Sequence, residues 1–379
     1  MKKHICHLTS VHTRFDVRIF VKQCCSLFDS GYKVTLIVAD GLGDQIEQGI
    51  NILDIGKEKG RLARIRKIPK RILQKAIEVN ADLYQFHDPE LIPLGLKLKK
   101  LNKVVVFDSH EDVPQDILIK PYLPLLIRKL ISSAYAKYEQ FACRIFDGVV
   151  AATPYVEDKF LEVTPKVVNI NNFPVLSELE VDTSWSTKKR EVCYIGVITA
   201  KRGIKELVQA FEYTKQSVHL NLVGRFAEVD TAQEVKKMEG FSQVKEHGFL
   251  NRKGVGKTLS DSMVGLVNLH PVPTYKVGLP IKMFEYMSAG LPMIVSDFPL
   301  WKEMLGDKNC CVFVDPLDPK EIATAIDFFM KHPKKAEEMG ANGRRLVEEK
   351  YNWSGEKDKL FGFYEELLTY KKQKLCVEL

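Results

Sequence analysis

Two histidines follow apolar segments and precede acids, an arrangement that could do acid–base or electrostatic chemistry. His87 lies in LYQFHDPE and is followed by Asp88, and His110 lies in VVVFDSHEDVP ahead of two further acids. A histidine at the carboxyl end of a strand can hydrogen-bond a substrate hydroxyl or stabilise a developing charge. Because both follow consecutive predicted strands, we expect them to be neighbours in space. The alternative is that each is a structural histidine.

The histidines, acids and cysteines lack the spacing of familiar metal sites. The chain contains no H-E-x-x-H zinc motif and no D-x-D, which often marks metal-dependent nucleotide-sugar sites. None of the eight cysteines forms a C-x-x-C pair, so buried free thiols are expected. We therefore predict that the protein uses no metal and no resident cofactor.

A cationic turn follows the predicted strand 191–195, within YIGVITAKRGIKELVQAF. Gly196 would let a ligand approach the backbone closely at the end of the strand. Lys201 and Arg202 come just before a predicted helix, whose N-terminal N–H groups also attract anions. The segment therefore predicts an anion site, the alternative being an ordinary charged loop.

A second candidate lies in PIKMFEYMSAGLPMIVSD. Pro280 suits the start of a helix and Gly290 its end. Glu285 would then sit in the first turns, where its carboxylate could accept two hydrogen bonds from a ribose diol and be favoured by the helix dipole. The alternative is a glutamate that faces solvent.

Residues 251–258, NRKGVGKT, imitate a phosphate-binding P-loop. Gly256, Lys257 and Thr258 match G-x-x-x-x-G-K-[ST], but Asn251 stands where the first glycine belongs. The preceding QVKEHGFL is a poor buried strand. We therefore predict a polar loop that opens a helix.

Apolar strands alternate with amphipathic helices, which predicts parallel sheets with helices on both faces. The first series has strands at 5–9, 33–38, 50–55, 83–86, 104–108 and 148–152, with helices at 16–30, 61–79, 90–100, 122–146 and 154–162. The second series has strands at 191–195, 218–223, 243–245, 264–269, 293–295 and 311–314. The polar stretch 171–190 separates them, so we predict two tandem, doubly wound, Rossmann-like α/β domains. They should face a cleft that holds the ligand.

Length and composition fit this organisation. A chain of 379 residues accommodates two domains of about 150–200 residues. Its apolar runs are far shorter than the roughly 20 residues that span a bilayer. The first residues lack the apolar core and cleavage site of a signal peptide, which favours a cytoplasmic protein.

Positive charge is concentrated in residues 57–75, which carry nine Lys or Arg against one acid, and again at Lys97, Lys99, Lys100 and Lys103. Such clusters attract anionic lipid headgroups, nucleic acid or phosphate-bearing substrates. Nucleic acid is disfavoured because no aromatic residues are interleaved for stacking. The alternative is a solvated helix face.

Taken together, these segments resemble glycosyltransferase family 4, retaining enzymes of the GT-B type, over nearly the whole chain. HLTSVHTRFDVRIFVKQCCSLFDSGYKVTLIVADG, FHDPELIPLG and VVVFDSHED are similar to bacterial members that build O-antigens, lipopolysaccharide, capsules and exopolysaccharides. YIGVITAKRGIKELVQAF and LPIKMFEYMSAGLPMIVSDFPLWKEM resemble the donor half of the family, and the latter is the most specific match.

The resemblance implies roles for individual residues. His110 would be the active-site histidine, Glu285 the ribose ligand, Arg202 the diphosphate ligand and Gly196 the glycine of the preceding turn. Val197 departs from the usual Gly-Arg pair, so Lys201 or Lys282 would supply the missing cation.

Another departure is Val277, which replaces a family glutamate, so backbone N–H groups around Gly278 and Leu279 would contact the sugar. His12 and His87 are further candidate acceptor or sugar contacts. The implied domains are an acceptor-binding domain at 1–172, a linker at 173–190, a donor-binding domain at 191–352 and a helix at 353–379 that packs back on the first domain.

The implied activity is metal-independent, retaining transfer from a nucleotide-sugar donor to a glycan, carried on polyprenyl diphosphate at the inner face of the cell membrane. The alternatives are a nucleotide-sugar 2-epimerase of similar fold and a non-catalytic protein that binds nucleotide sugars.

Overall fold

The structure is a computed structural model, and it describes the whole chain apart from Met1, 121–123, Glu180 and 378–379. Some predicted features therefore lie partly outside the described residues. They are the start of the helix at 122–146, one residue of the linker at 173–190, the first residue of the domain at 1–172 and the last two residues of the helix at 353–379. The chain divides into two compact units, Met1–Asn172 with Ser354–Leu379, and Phe173–Trp353.

The first unit is built on an eight-stranded sheet with the order β3-β4-β2-β1-β5-β6-β7-β8. Only the β3–β4 pair is antiparallel. The central strands are short runs of Val, Ile, Leu and Phe that are buried throughout, as expected where helices cover both faces of a parallel sheet. The strands are His4–Leu8, Lys33–Val38, Gln45–Glu47, Ile50–Asp54, Leu83–Phe86, Val104–Ser109, Gly148–Ala151 and Val167–Asn169.

Helices connect these strands. A π-helix, Val17–Cys24, opens the first connection, capped by the Asp16 carboxylate, which accepts from the N–H groups of Arg18 and Ile19. Helices α2, α3 and α5 contribute to the core on one face of the sheet. Helices α1 to α6 are Cys25–Asp29, Arg61–Val79, Ile92–Lys100, Val113–Leu118, Leu125–Ile145 and Pro154–Leu161, with a 3₁₀ turn at Pro89–Leu91.

The second unit has a six-stranded sheet with the order β11-β10-β9-β12-β13-β14, in which every pair is parallel. Separate apolar clusters pack on its two faces. The strands β9 to β14 are Glu191–Ile195, His219–Val223, Val244–Gly248, Val264–Val267, Met293–Ser296 and Cys311–Val314.

The second unit also contains 3₁₀ turns at Trp185–Thr187, Ala200–Arg202 and Glu239–Gln243. Helices α7 to α15 are Ile204–Tyr213, Val229–Val235, Arg252–Asp261, Pro273–Lys276, Ile281–Ser288, Pro299–Leu305, Pro319–Lys331, Pro333–Glu349 and Trp353–Val377. Within the described residues, no helix is both long enough and apolar enough to cross a bilayer.

The C-terminal helix α15 belongs, from Ser354 onward, to the first unit. Its Glu356 carboxylate accepts from the Asn171 N–H at 2.6 Å, and its buried Tyr364 hydroxyl donates to the Gln85 side chain. These buried hydrogen bonds fix the helix against the sheet, because leaving a buried polar partner unpaired costs about 1–3 kcal/mol.

The predicted α/β fold class is confirmed, and the differences are local. The predicted helix 16–30 is a π-helix followed by α1. Sequence reasoning missed the edge strands β3 and β8, which have only three residues each, none of them buried. The predicted strand 264–269 ends at Val267. Residues 251–258 are not a loop, because Asn251 caps α9 and the following residues lie inside that helix.

We expect Gly148→Ala to destabilise the first unit. A Cβ at this position in β7 would lie 2.4 Å from Phe363 Cζ and 3.0 Å from Leu367 Cδ1, both on α15. Overpacking of this kind costs about 1–3 kcal/mol. Gly362→Ala, on the same helix but facing open space, is the matched control and should stabilise by up to about 1 kcal/mol. Thermal unfolding measures both, and equal melting temperatures for the two variants would contradict this packing.

Candidate active site

Three histidines meet where β1, β5 and β6 end. These strands are adjacent in the first sheet, so their carboxyl ends bring His12, His87 and His110 together. His87 Nδ1 lies 3.3 Å from His110 Nε2, and the His12 and His110 ring centroids are 5.1 Å apart. The structure therefore confirms that His87 and His110 are neighbours.

Asp108, at the end of β6, connects this cluster to the core. Its fully buried carboxylate pairs with the Arg18 guanidinium at 2.8 Å and with His87 Nδ1 at 3.0 Å. Side-chain amides of Gln23 and Gln85 donate to the same carboxylate at 2.8 and 3.1 Å. A buried charge needs such compensation, and here it comes from a cation and several donors.

Charge states in the cluster follow from these contacts. Burial alone would raise the pKa of Asp108, but Arg18 and His110 outweigh it and hold the pKa well below its usual range. Burial lowers the pKa of His87, and the hydrogen bond to Asp108 only partly opposes this shift. We therefore assign His87 as neutral, donating from Nδ1 to Asp108 and accepting at Nε2 from His7, 3.0 Å away.

Asp88 holds the loop that carries His12. Its buried carboxylate accepts from the Ser10 N–H at 2.6 Å and the Thr9 hydroxyl at 2.8 Å, and lies 3.1 Å from His12 Nδ1. Burial would raise the pKa of Asp88, but His12 and the hydrogen bonds lower it to about 2. Burial likewise opposes the charged form of His12, and Asp88 outweighs it so that the pKa of His12 is raised.

The cluster also has part of the geometry of a metal site. Ligand atoms of His87, Asp108 and His110 lie within 4.8 Å of one another. However, the Asp108 carboxylate already accepts several hydrogen bonds, and the Arg18 guanidinium beside it would repel a cation. The donor set therefore fits a metal ion poorly.

A cationic pocket forms in the second unit at the end of β9. Gly196 has φ 132°, in the region that favours glycine. A Cβ there would lie 3.4 Å from Lys282 Nζ and 3.7 Å from Arg202 Nη1, so both cations converge on this bare backbone. The structure thus brings together Gly196, Arg202 and Lys282.

Lys282 is the unusual member of this pocket. It lies in the first turn of α11, its Nζ is buried, and among the described residues the ammonium has no hydrogen-bond partner. It sits 3.5 Å from the ring centroid of Tyr194. Burial lowers the pKa of Lys282 well below its usual range, Arg202 lowers it further, and Glu285 offsets this only in part. An anion bound here would compensate the buried charge of Lys282 and offset its repulsion by Arg202.

Glu285, one turn after Lys282 on α11, is only 7% exposed, so the alternative of a solvent-facing glutamate is wrong. Its Oε1 accepts from Arg252 Nη1 at 2.7 Å, and Arg252 Nη2 also contacts Glu178 at 2.9 Å. Arg252 is the second residue of 251–258, the segment that imitates a P-loop. This segment therefore contributes to the site through a residue that the P-loop motif does not specify.

The other predicted residues are less directly placed. Lys201 is exposed in the 3₁₀ turn before α7. Gly278 and Leu279 lie in the loop between α10 and α11, after Val277 at the end of α10. The Gly278 N–H donates to the Tyr275 carbonyl at 3.3 Å.

Sequence reasoning did not assign the partners Arg18, Asp108 and Arg252. A charged residue inside an apolar segment is a signal of a buried pair, and VVVFDSH contains one in Asp108. Arg252 carries no comparable signal, because it lies in the polar segment NRKGVGKT rather than in an apolar run.

Comparison with known proteins agrees with this architecture. Residues 177–346 match the family model described as "Glycosyl transferases group 1". The D-rhamnosyltransferase WbpZ of Pseudomonas aeruginosa is 24% identical to this chain over 287 residues, which are 71% of this chain and 69% of that protein. These similarities support glycosyl transfer as the activity of the chain.

Solved structures show the fold. Sucrose-phosphate synthase of Thermosynechococcus elongatus superposes with a TM-score of 0.77 at 16% identity, covering 97% of this chain and 100% of that one. Anabaena HepE, in complex with UDP-glucose, gives a TM-score of 0.73 at 14% identity, covering 96% and 99%. The chain therefore has the GT-B fold.

We expect Lys282→Met to stabilise the free protein by about 1–2 kcal/mol, because it removes a buried unpaired ammonium. Since the pKa of Lys282 is lowered on folding, the unfolded chain binds more protons between that pKa and the ordinary lysine value. Wild-type stability should therefore rise with pH in that window, and the advantage of the variant should shrink.

Thermal unfolding at several pH values tests this expectation, with exposed Lys253→Met as the control. If Lys282→Met were clearly less stable than the wild type at pH 7, the ammonium would have an internal partner and the assignment of an open anion site would be wrong.

Proposed function

We propose that the chain is a retaining, metal-independent glycosyltransferase of family 4 that uses a nucleotide-sugar donor. The observation that carries this proposal is the buried Lys282 ammonium, without a hydrogen-bond partner in the described residues, beside Arg202 and the bare backbone of Gly196. Two converging cations repel each other unless an anion lies between them, and a diphosphate provides two charges with several acceptor oxygens.

Glu285 is the proposed ligand of the donor ribose. A carboxylate offers about four acceptor positions, so the bond from Arg252 to Oε1 leaves capacity for ribose hydroxyls. Arg252 also fixes the rotamer of Glu285, since its guanidinium is held by Glu178 on its other side. The HepE structures contain UDP, UDP with glucose, or UDP-glucose, which supports a nucleoside-diphosphate sugar as the donor here.

The proposed reaction breaks the bond between the anomeric carbon and the diphosphate oxygen. Arg202, Lys282 and the N-termini of α7 and α11 stabilise the charge that grows on the leaving group, with Lys201 as a further cation. The acceptor hydroxyl attacks from the same face, and its proton passes to the departing phosphate. Fixed positive groups aimed at developing charge are usually the largest catalytic contribution.

His110 is the proposed catalytic residue, placed near the transferred sugar, with His12 and His87 as further acceptor or sugar contacts. Asp108 holds His87 in position, and Asp88 holds His12. Because the Asp108 carboxylate is already saturated by donors, we propose that the histidines act without a metal. Backbone N–H groups around Gly278 and Leu279 remain the proposed contacts to the sugar.

The proposed acceptor is a glycan on an anionic lipid carrier in bacterial surface-polysaccharide synthesis. Support comes from the relative that is named a D-rhamnosyltransferase, and from the basic segment 57–75, whose helix α2 exposes Arg66 and Lys70. We accordingly propose a cytoplasmic protein that associates with the inner face of the membrane.

Thermal-shift measurements against a panel of nucleotides and nucleotide sugars, with and without EDTA, test the donor site. A ligand at 100 times its dissociation constant adds about 2.7 kcal/mol of stability. We expect one nucleotide family to raise the melting temperature regardless of EDTA, and Lys282→Met to abolish that rise. A shift seen only with ATP and magnesium would overturn the proposal.

Two substitutions separate binding from turnover when release of nucleoside diphosphate is measured. Glu285→Ala should raise the KM for the donor about 10- to 100-fold, because ribose contacts are lost. His110→Ala should lower kcat by about 10²–10⁴ while leaving KM nearly unchanged. The exposed residues Glu337 and His219 provide matched alanine controls.

The identity of the products completes this test. An altered nucleotide sugar formed without acceptor would favour the epimerase, and donor binding without any turnover would favour a non-catalytic protein. Normal kinetics for both the Glu285 and His110 variants would show that the site is wrongly assigned.

A further inference from the structure

Helix α5 exposes large apolar side chains and buries small or polar ones. Leu126 and Leu130 are 76% and 72% exposed. The side chains that it buries are Ser132, Glu139, Ala142 and Cys143. A surface helix normally turns its apolar stripe toward the core, so this orientation is reversed.

Leu125, which is 60% exposed, projects from another side of α5, and six further exposed apolar residues lie together on one side. At 100° per residue they fall within an arc of about 140°, along a helix about 30 Å long. They are Leu126, Ile127, Leu130, Ile131, Phe141 and Ile145. We call them the α5 stripe. Contiguous exposed apolar surface of this kind marks a site of interaction, because isolated proteins seldom carry it.

The charges that α5 itself exposes are of one sign. Lys129, Lys137 and Arg144 are exposed, and Lys137 and Arg144 lie within one edge of the arc. The only acid in the helix, Glu139, is buried and paired with Lys159 at 2.7 Å. The matching partner is therefore apolar with an anionic boundary, which is the chemistry of a bilayer containing anionic lipid.

The α5 stripe also lies on the same side of the sheet as the basic segment. The crossovers through α2, α3 and α5 all run in one direction along the strand order, so right-handed connections put these helices on one face. Helix α3 packs between α2 and α5. The exposed cations of α2, including Arg66 and Lys70, therefore share the outward-facing side of this layer with the stripe.

We propose that the α5 stripe docks on an anionic lipid bilayer, with Leu126, Leu130 and Phe141 entering the boundary between headgroups and acyl chains. The helix lies in the plane of the membrane, and the cations of α5 and α2 contact lipid phosphates. This deepens the membrane association proposed from the basic segment, but it rests on a different observation and is independent of the sugar-transfer chemistry.

The first test is co-sedimentation of the full chain with vesicles of phosphatidylglycerol and phosphatidylethanolamine, compared with phosphatidylcholine alone. We expect the wild type to bind the anionic vesicles and L126S/L130S to bind at least about tenfold more weakly, because two leucine side chains no longer leave water. Leu42→Ser is the matched control, since Leu42 is as exposed as Leu130, at 72%, but lies outside the stripe.

The charge and insertion contributions are measured separately. R66E/K70E should weaken binding most at low salt, because electrostatic attraction is screened as ionic strength rises. The fluorescence of Leu130→Trp should be quenched by lipids with brominated acyl chains, whereas that of Leu42→Trp should not. This second readout detects insertion directly, whatever the L126S/L130S variant does.

Three outcomes would overturn the proposal: no vesicle binding by the wild type, equal binding by L126S/L130S, or a Leu130→Trp signal that brominated lipid leaves unchanged. Sedimentation in solution tests whether a second copy of the chain, rather than a bilayer, packs on the stripe. A wild-type dimer that L126S/L130S converts to monomer would make the stripe a contact between copies. The nucleotide-sugar thermal shift of L126S/L130S should match the wild type, so this test and the test of the donor site can fail independently.

Discussion

Parallel strand pairing determines where polar side chains can gather in this chain. Apart from the β3–β4 pair, all strands within each sheet run in the same direction, so the loops that follow them meet at one edge. Helices cover both faces of each sheet and pack there mainly through apolar side chains. Charged groups therefore gather in the loops at this edge. The histidine cluster after β1, β5 and β6 and the cationic pocket after β9 both result from this constraint.

The histidine cluster and the cationic pocket differ in how the protein compensates a buried charge, and this difference bears on the role of each charged residue. Asp108 has a guanidinium, two amides and a histidine around it, so its charge is compensated within the protein and orients its neighbours. Lys282 has the Arg202 cation beside it and only partial help from Glu285, so its pKa is held well below its usual range. An anion bound beside Lys282 would return the stability that this arrangement costs.

Sequence alone predicted the strands that apolar runs define, because burial on both faces requires such runs. It failed at β3 and β8, whose pairing depends on neighbouring strands more than on their own residues. It placed Gly196 and Arg202 in one site, since strand ends and helix starts are visible in the sequence, and Lys282 was added by the family resemblance. It could not foresee the pair between Arg252 and Glu285, because the rotation of α9 is set by packing in three dimensions.

Helix α5 shows how the remaining disagreement between pattern and fold is informative. The sequence LLIRKLISSAYAKYEQFACRI has helical periodicity, and periodicity ordinarily predicts that the apolar face packs inward. Here Ser132 bonds the Pro114 carbonyl and Glu139 pairs with Lys159, so the polar face is the one satisfied inside the protein. A helix anchored through its polar side leaves its leucines exposed, as Leu126 and Leu130 are here. Where a natural sequence breaks a local rule in this way, the exception is a candidate functional feature.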